Sequence, residues 1–170
     1  MGHAVSEFKP ANVAVLTVSD TRTEENDTSG HYFVEQLKEA GHNLIDKKIV
    51  IDDVYQLRAA LSQWIADDSI QAVLMTGGTG FTSRDNTPEA ILPLFDKEVE
   101  GFGELFRMLS FEEIGTSAIQ SRAFAGMANK TVIFAVPGSP GACKTAWTKI
   151  IKQQLDASHR PCNFMPHLKG

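Results

Sequence analysis

Apolar residues along the chain occur either as short continuous runs or as helically spaced stripes. The run NVAVLTVS at residues 12–19 is apolar on both faces, which is typical of a buried strand in a parallel sheet. Between the runs, residues 30–40 and the segment after Asp52 show the spacing of amphipathic helices. The predicted strands are residues 12–19, 44–51, 70–76 and 131–136. Such alternation predicts an α/β fold in three layers: a doubly wound, mostly parallel sheet with helices on both faces.

Capping residues indicate where the helices begin. Small polar side chains precede the first helix, and Thr87-Pro88 places a capping residue before proline at the first helical position. Ser139-Pro140 repeats that arrangement at the start of the last long helix. The predicted caps are therefore Thr28 or Ser29, Thr87 and Ser139.

The length of 170 residues fits a single domain, residues 1–170. A helix is predicted over residues 101–113, and its aromatic side chains Phe102, Phe106 and Phe111 are expected in the core. The tail, residues 156–170, contains two prolines and no periodicity. We expect it to run extended over the domain or over a neighbouring subunit.

Composition excludes several functional classes. Sixteen basic against twenty-one acidic residues, without a basic stripe, argue against nucleic-acid binding. No segment approaches the roughly 18 apolar residues of a membrane span, and the first ten residues do not resemble a secretion signal. Cys143 and Cys162 belong to no CxxC pair, and the five histidines show no metal-binding spacing. We therefore expect a cytoplasmic protein with reduced thiols that contacts neither membrane nor nucleic acid.

Three predicted strand ends carry residues suited to ligand binding: Ser19-Asp20, the glycine loop Gly77–Gly80 and Pro137-Gly138-Ser139. Ligands of open α/β sheets bind at the carboxyl ends of the strands. The segment TGGTGFTSRDNTP can present backbone N–H groups to a phosphate or a flat polar ring. It fits neither the P-loop nor the dinucleotide pattern. The alternative is a tight turn, but the neighbouring Arg84-Asp85 and the capped helix favour a binding loop.

Two carboxylates follow predicted strands and could share one edge of the sheet. Asp52 and Asp85 could there hold Mg²⁺ against substrate phosphates. For Asp52, capping of the next helix is an equal alternative, and Asp53 is expected in solvent. Among the candidate phosphate partners only Arg84 is favoured by its position. The others are Arg107, Lys130 and Lys144.

Several motifs, in order, resemble the MoaB/Mog family of molybdenum-cofactor proteins over nearly the whole chain. They are VLTVSD, DTSG, TGGTGFTSRDNTPEA, EVEGFGELFRMLSFEEIGTSAIQSRA and PGSPGACKTAW. The tail RPCNFMPHL is most similar to that of bacterial MoaB. The resemblance implies a domain that binds molybdopterin and ATP, with Mg²⁺ as cofactor. It would join the terminal phosphate of the pterin to AMP and release pyrophosphate, as a homo-oligomeric trimer or hexamer.

The resemblance also implies roles for individual residues. Asp52 and Asp85 would bind magnesium and serve catalysis, although Ile51 stands where many relatives have proline. The implied substrate-binding residues are Gly77, Gly78, Thr79, Gly80, Arg84, Glu100, Gly101, Ser117, Pro137, Gly138 and Ser139. Three hypotheses follow: a molybdopterin adenylyltransferase, a molybdopterin carrier without ATP chemistry, and an oligomeric scaffold.

Overall fold

A six-stranded, mostly parallel sheet forms the centre of the molecule. The computed structural model describes residues 6–170. The strands are β1 (Asn12–Val18), β2 (Asn43–Val50), β3 (Ala72–Thr76), β4 (Lys97–Glu98), β5 (Phe124–Ala128) and β6 (Thr131–Val136). Their order is β2-β1-β3-β6-β5-β4, with β2, β1, β3 and β6 parallel and β5 antiparallel to both of its neighbours.

Helices cover both faces of the sheet. They are α1 (Thr28–Glu39), α2 (Val54–Ala66), α3 (Thr87–Ile91), α4 (Glu100–Ile114) and α5 (Pro140–Ala146), which continues as a π-helical segment (Trp147–Ile151) and a last turn (Lys152–Gln154). One core cluster packs Phe33 of α1 and Phe106 of α4 on one face, and a second packs Leu57 and Leu61 of α2 on the other. The three-layer α/β prediction is confirmed. Within residues 6–170 no helix combines the length and apolar character needed to cross a membrane.

The hairpin of β5 and β6 and the short strand β4 were not predicted. The β5 sequence FAGMA is rich in small residues that have little preference for strands. Gly126 is required there, because a Cβ atom would overlap the ring of Phe95. The turn places Asn129 and Lys130 at φ +47° and +59°, as in a hairpin turn, although it lacks the usual Asn-Gly pair.

The observed helix caps correct two predictions. Asp27, not Thr28 or Ser29, caps α1: its Oδ1 accepts the N–H of Gly30 at 3.0 Å. The hydroxyl of Thr87 instead donates to the carbonyl of Gly77 at 2.9 Å. The predicted cap Ser139 is confirmed, since its hydroxyl accepts the N–H of Ala142.

One aromatic prediction was wrong, and the prediction for the tail needs qualification. Phe102 and Phe106 are buried as expected, but Phe111 is 58% exposed on the outer side of α4. The tail runs across the domain and includes a single 3-10 turn, Met165–His167. Its Lys169 ammonium donates to the carbonyl of Ile65 at 2.8 Å, which ties the end of the chain to α2.

A buried histidine should make folding sensitive to acid. Desolvation lowers the pKa of His42, partly opposed by the charge of Asp156, and its Nδ1 accepts the N–H of Ala11 at 2.9 Å. Because the unfolded state protonates first, near pH 6.5, stability is present above that pH and is lost as the pH falls below it. Urea unfolding at pH 7.5 and 5.0 should show this loss, and His42→Gln should reduce it. An equal reduction in the half-exposed control His31→Gln would contradict the assignment.

Candidate functional site

A cleft of about 440 Å³ opens at the carboxyl ends of β1, β3 and β6. This is the edge of the sheet at which the sequence predicted binding. Its walls are formed by Thr17, Val18, Ser19, Arg22, Asp27, Ser29, Thr76, Gly77, Gly78, Thr79, Gly80, Asp85, Ile114, Ser117, Gln120, Ser121, Pro137 and Gly138. The start of α1, the glycine loop and the segment after α4 therefore line the same cleft.

The glycine loop has a backbone that other residues would not adopt. Gly77 and Gly78 have φ of +105° and +70°. A Cβ atom on Gly77 would overlap the carbonyl of Val18, and one on Gly78 would lie 2.7 Å from Asp52 Oδ2. The N–H of Gly77 donates to Val136, whereas the next three N–H groups, of Gly78, Thr79 and Gly80, find no acceptor within residues 6–170. These free donors line the cleft and suit an anion.

Asp52 lies beneath the loop rather than in the cleft wall. Its side chain is 5% exposed and accepts the N–H of Asn86 at 3.1 Å. Burial raises the pKa of its carboxyl, and the charges of Asp85 and Asp20 add to that rise against the hydrogen bonds from Asn86. The adjacent Asp53 caps α2, with Oδ1 accepting the N–H of Gln56 at 2.9 Å. Asp52 therefore does not cap α2, and its catalytic role stays a prediction.

Asp20 connects Asp52 to Arg84. Its Oδ1 accepts the N–H of Asp52 at 3.0 Å, and the Arg84 guanidinium donates to both of its oxygens at 2.9 Å. The hydrogen bond from Arg84, aided by that from Asp52, holds the pKa of the Asp20 carboxyl below its usual value. Arg84 is thus positioned next to the carboxylates at the rim and not within the cleft.

Asp85 lines the cleft, and only one of its carboxylate oxygens is hydrogen-bonded within residues 6–170. Its Oδ2 accepts the N–H and the hydroxyl of Thr82, at 2.9 and 2.8 Å. Its Oδ1 makes no hydrogen bond within residues 6–170. The charge of Asp85 helps to raise the pKa of Asp52, but no group of three or more acidic, histidine or cysteine side chains that could hold a metal occurs in the described chain.

A buried ion pair on the opposite wall was not identified from sequence. Asp27 is 1% exposed, and its Oδ2 accepts from Thr17 at 2.7 Å and Lys47 at 2.9 Å. Burial alone would raise the pKa of this carboxyl, but the hydrogen bonds from Lys47, Thr17 and Gly30 outweigh it and lower the pKa. The DTSG motif containing Asp27 was part of the resemblance, yet nothing in it indicated the partner Lys47 twenty residues away.

Residues 14–157 match the family described as a probable molybdopterin binding domain. The chain is 63% identical over 169 residues to molybdenum cofactor biosynthesis protein B of Escherichia coli strain K12, covering 99% of both chains. The chain belongs to the MoaB/Mog family.

Further members confirm this placement. Molybdenum cofactor biosynthesis protein B of Bacillus subtilis is 50% identical over 142 residues, which cover 83% of this chain and 84% of that protein. The crystal structure of the tungsten cofactor synthesizing protein MoaB from Pyrococcus furiosus superposes with a TM-score of 0.79 at 40% identity, covering 86% of this chain and 93% of the other. The fold expected from the MoaB/Mog resemblance is therefore confirmed.

The residues carried over from the MoaB/Mog family do not all meet in one place. Those in the cleft wall are Gly77, Gly78, Thr79, Gly80, Asp85, Ser117, Pro137 and Gly138. Asp52 lies beneath the loop, Arg84 at its rim, and Ser139 caps α5. Glu100 and Gly101 begin α4 and line other surface grooves. The binding roles of all these residues stay predictions.

Proposed function

We propose that the chain binds molybdopterin in this cleft and adenylylates it with ATP during molybdenum cofactor biosynthesis. The observation that carries the proposal is the juxtaposition of free loop N–H groups with Asp85, above the buried Asp52. The relatives named molybdenum cofactor biosynthesis protein B, and the family described as a probable molybdopterin binding domain, support the pterin as ligand. We place the reaction in the cytoplasm, where Cys143 and Cys162, both free, remain reduced.

In the proposed reaction, a phosphate oxygen of molybdopterin attacks the α-phosphorus of ATP. The new P–O bond forms as the bond to pyrophosphate breaks, and pyrophosphate leaves with the electron pair. The loop N–H groups would hold the phosphates in line, so that the protein contributes position and charge stabilisation without a nucleophile of its own.

The carboxylates fit magnesium bound in part by substrate. Mg²⁺ prefers oxygen ligands and is held in such sites by one or two carboxylates together with phosphates and water. Asp85 Oδ1 lacks a hydrogen bond within residues 6–170, and Asp52 lies under Gly78. These two residues would hold the ion, which when bound supplies neutralisation of phosphate charge.

A second candidate function is a molybdopterin carrier without ATP chemistry. It is favoured by the burial of Asp52, whose two oxygens both face the N–H of Asn86 at 3.1 and 3.3 Å. A carboxylate held in this way can serve the loop as a structural support. The carrier would use the same cleft but would not turn over.

The deciding experiment measures pyrophosphate release from ATP and magnesium with purified molybdopterin, together with pterin binding measured separately. We expect binding and release by the native protein. Binding without release would replace the adenylyltransferase by the carrier. Absence of pterin binding would refute both and leave the scaffold hypothesis.

We also propose that the chain forms a homo-oligomer, trimer or hexamer, through the outer side of α4. Leu105, Met108, Phe111 and Ile114 recur there and are 39–58% exposed, which makes an apolar stripe unusual for a monomer surface. Ile114 also lines the cleft, so a second copy on this stripe would lie beside the ligand.

Charge on the stripe should dissociate the oligomer. Phe111→Glu is expected to sediment as a monomer of 18.6 kDa, because a carboxylate in an apolar interface is costly. Tyr55→Glu, at an exposed aromatic position on α2, is the matched control and should leave the native mass unchanged. A native protein that already sediments as a monomer would refute the interface.

A further inference from the structure

One arginine outside the predicted site contacts both ends of the loop that carries Asp85. Arg122 follows the 3-10 segment Gly115–Gln120, and its Nε donates to the carbonyl of Gly80 at 2.9 Å. Its Nη2 donates to the carbonyl of Asp85 at 2.8 Å. A single planar group therefore connects the last glycine of the loop to the backbone of the carboxylate residue.

Further contacts fix the guanidinium itself. Its Nη1 pairs with Glu89 in α3, and its face lies 5.2 Å from the ring centroid of Phe81. The N–H of Arg122 donates to the carbonyl of Thr79 at 3.0 Å. The side chain is 27% exposed, so these contacts are partly shielded from solvent. Arg122 thus touches the glycine loop, the segment after it and the helix that follows.

We propose that Arg122 is a positioning residue that fixes Asp85 relative to the N–H groups of the glycine loop. The expected effect of Arg122 on turnover rests on the proposed function, whereas its effect on the structure of the loop does not. Gly80 and Asp85 are five positions apart. Because the planar guanidinium of Arg122 donates to the carbonyls of both residues, it sets the distance between their backbones. Without it, the turn from Thr82 to Asp85 would hold the carboxylate only locally.

Lysine cannot reproduce this arrangement. Its ammonium is a single point of charge on a flexible stem, whereas the acceptors here are two carbonyls and one carboxylate in different directions. Arg122→Lys should therefore keep the ion pair with Glu89 but lose at least one of the hydrogen bonds to the carbonyls of Gly80 and Asp85, which together form the brace. Arg122→Met should lose all of it while retaining a long apolar stem.

Arg58 offers a closely matched control. Its guanidinium also donates to two backbone carbonyls, those of Ala90 at 2.9 Å and Glu89 at 3.1 Å. It also lies against an exposed aromatic ring, Tyr55, at 5.7 Å. Its acceptors belong to α3 and not to the glycine loop. Arg58→Met also removes two hydrogen bonds to backbone carbonyls, but Arg58 contacts neither Gly80 nor Asp85.

The test compares native protein, Arg122→Met, Arg122→Lys and Arg58→Met by amide hydrogen exchange without ligands. We expect exchange at the hydrogen-bonded N–H groups of Thr82 and Asp85 to accelerate about tenfold or more in Arg122→Met, less in Arg122→Lys, and not in Arg58→Met. In turnover, kcat for pyrophosphate release should fall roughly 10- to 100-fold in Arg122→Met, because small misplacements of reacting groups are costly. The dissociation constant of molybdopterin should change little.

Unchanged exchange at the N–H groups of Thr82 and Asp85, or an equal rise there in Arg58→Met, would overturn the inference. If the native protein releases no pyrophosphate, the adenylyltransferase proposal fails, whereas the exchange comparison still decides the role of Arg122. If Arg122→Met does not fold, Arg122→Lys and Glu89→Gln carry the same test, since each weakens the brace in part.

Discussion

Asp85→Asn is expected to lower the rate of pyrophosphate release by about 10²-fold or more, because it removes a charge that, in the proposed reaction, would hold magnesium against the transferring phosphate. The fold should be retained, since the amide oxygen can still accept from the N–H of Thr82, at 2.9 Å in the native protein. Molybdopterin binding should also persist. The measurement is steady-state release with saturating ATP, accompanied by pterin binding for each variant.

Asp52→Asn should lose activity to a similar extent, but with a distinct signature in stability. The pKa of Asp52 is raised in the folded state, so its ionised form opposes folding once the pH lies above the folded pKa. At pH 7.5 the neutral amide removes that opposition and can still accept the N–H of Asn86. We therefore expect the free energy of unfolding of Asp52→Asn to equal or exceed that of the native protein.

The neighbouring Asp53 supplies the control for both variants. Asp53→Asn removes the same charge one position along, and asparagine is an equally good helix cap. Its activity should stay close to native. The native activity should also decline on the acid side at a pH above the ordinary carboxyl value of 3.8, because the proposed reaction requires ionised Asp52, whose pKa is raised. Full activity in Asp85→Asn and Asp52→Asn would refute their catalytic assignment.

The parallel part of the sheet could be predicted because its strands are buried on both faces. β1 and β3 have no face exposed to solvent, so their sequences are continuous apolar runs. A strand with one exposed face would instead alternate apolar and polar residues. β5 contains Gly126 because Phe95 occupies the space above it, a contact made 31 residues away. Its composition reflects that neighbour rather than strand propensity, which is why the hairpin was not predicted.

The position of the site could be predicted, but only part of its composition. Topology alone requires the glycine loop and Pro137-Gly138 to meet, because β3 and β6 are adjacent parallel strands. The roles of Asp27 and Arg122 depend on partners remote in sequence, such as Lys47 for the first. That Asp52 does not cap α2 could likewise be seen only once Asp53 was found in the cap position.

Gly77→Ala should be the most damaging single change in the glycine loop. Gly77 lies at φ +105°, and a Cβ atom there would overlap the carbonyl of Val18, which belongs to the backbone at the end of β1 and cannot rotate away. Backbone strain and overpacking together are expected to cost about 2–5 kcal/mol of folding free energy. The displaced loop should also lose molybdopterin binding, because β1 and β3 both end at the cleft.

Gly141→Ala is the matched control, since Gly141 lies within α5 and open space surrounds the position that a Cβ atom would take. We expect it to stabilise the protein by about 0.4–1 kcal/mol, because alanine restricts the unfolded chain in a conformation that the helix already uses. Urea unfolding and pterin titration are measured for both variants. A loss in Gly77→Ala alone shows that the backbone geometry at Gly77 is responsible, whereas a loss in both variants would show only that glycine-to-alanine changes are poorly tolerated. The contrary result is that Gly77→Ala unfolds at the same urea concentration as the native protein and binds the pterin with the same affinity. That result would show that the backbone of the glycine loop does not form the site. The ligand would then be held by other side chains that line the cleft, such as those of Ser29 and Ser117.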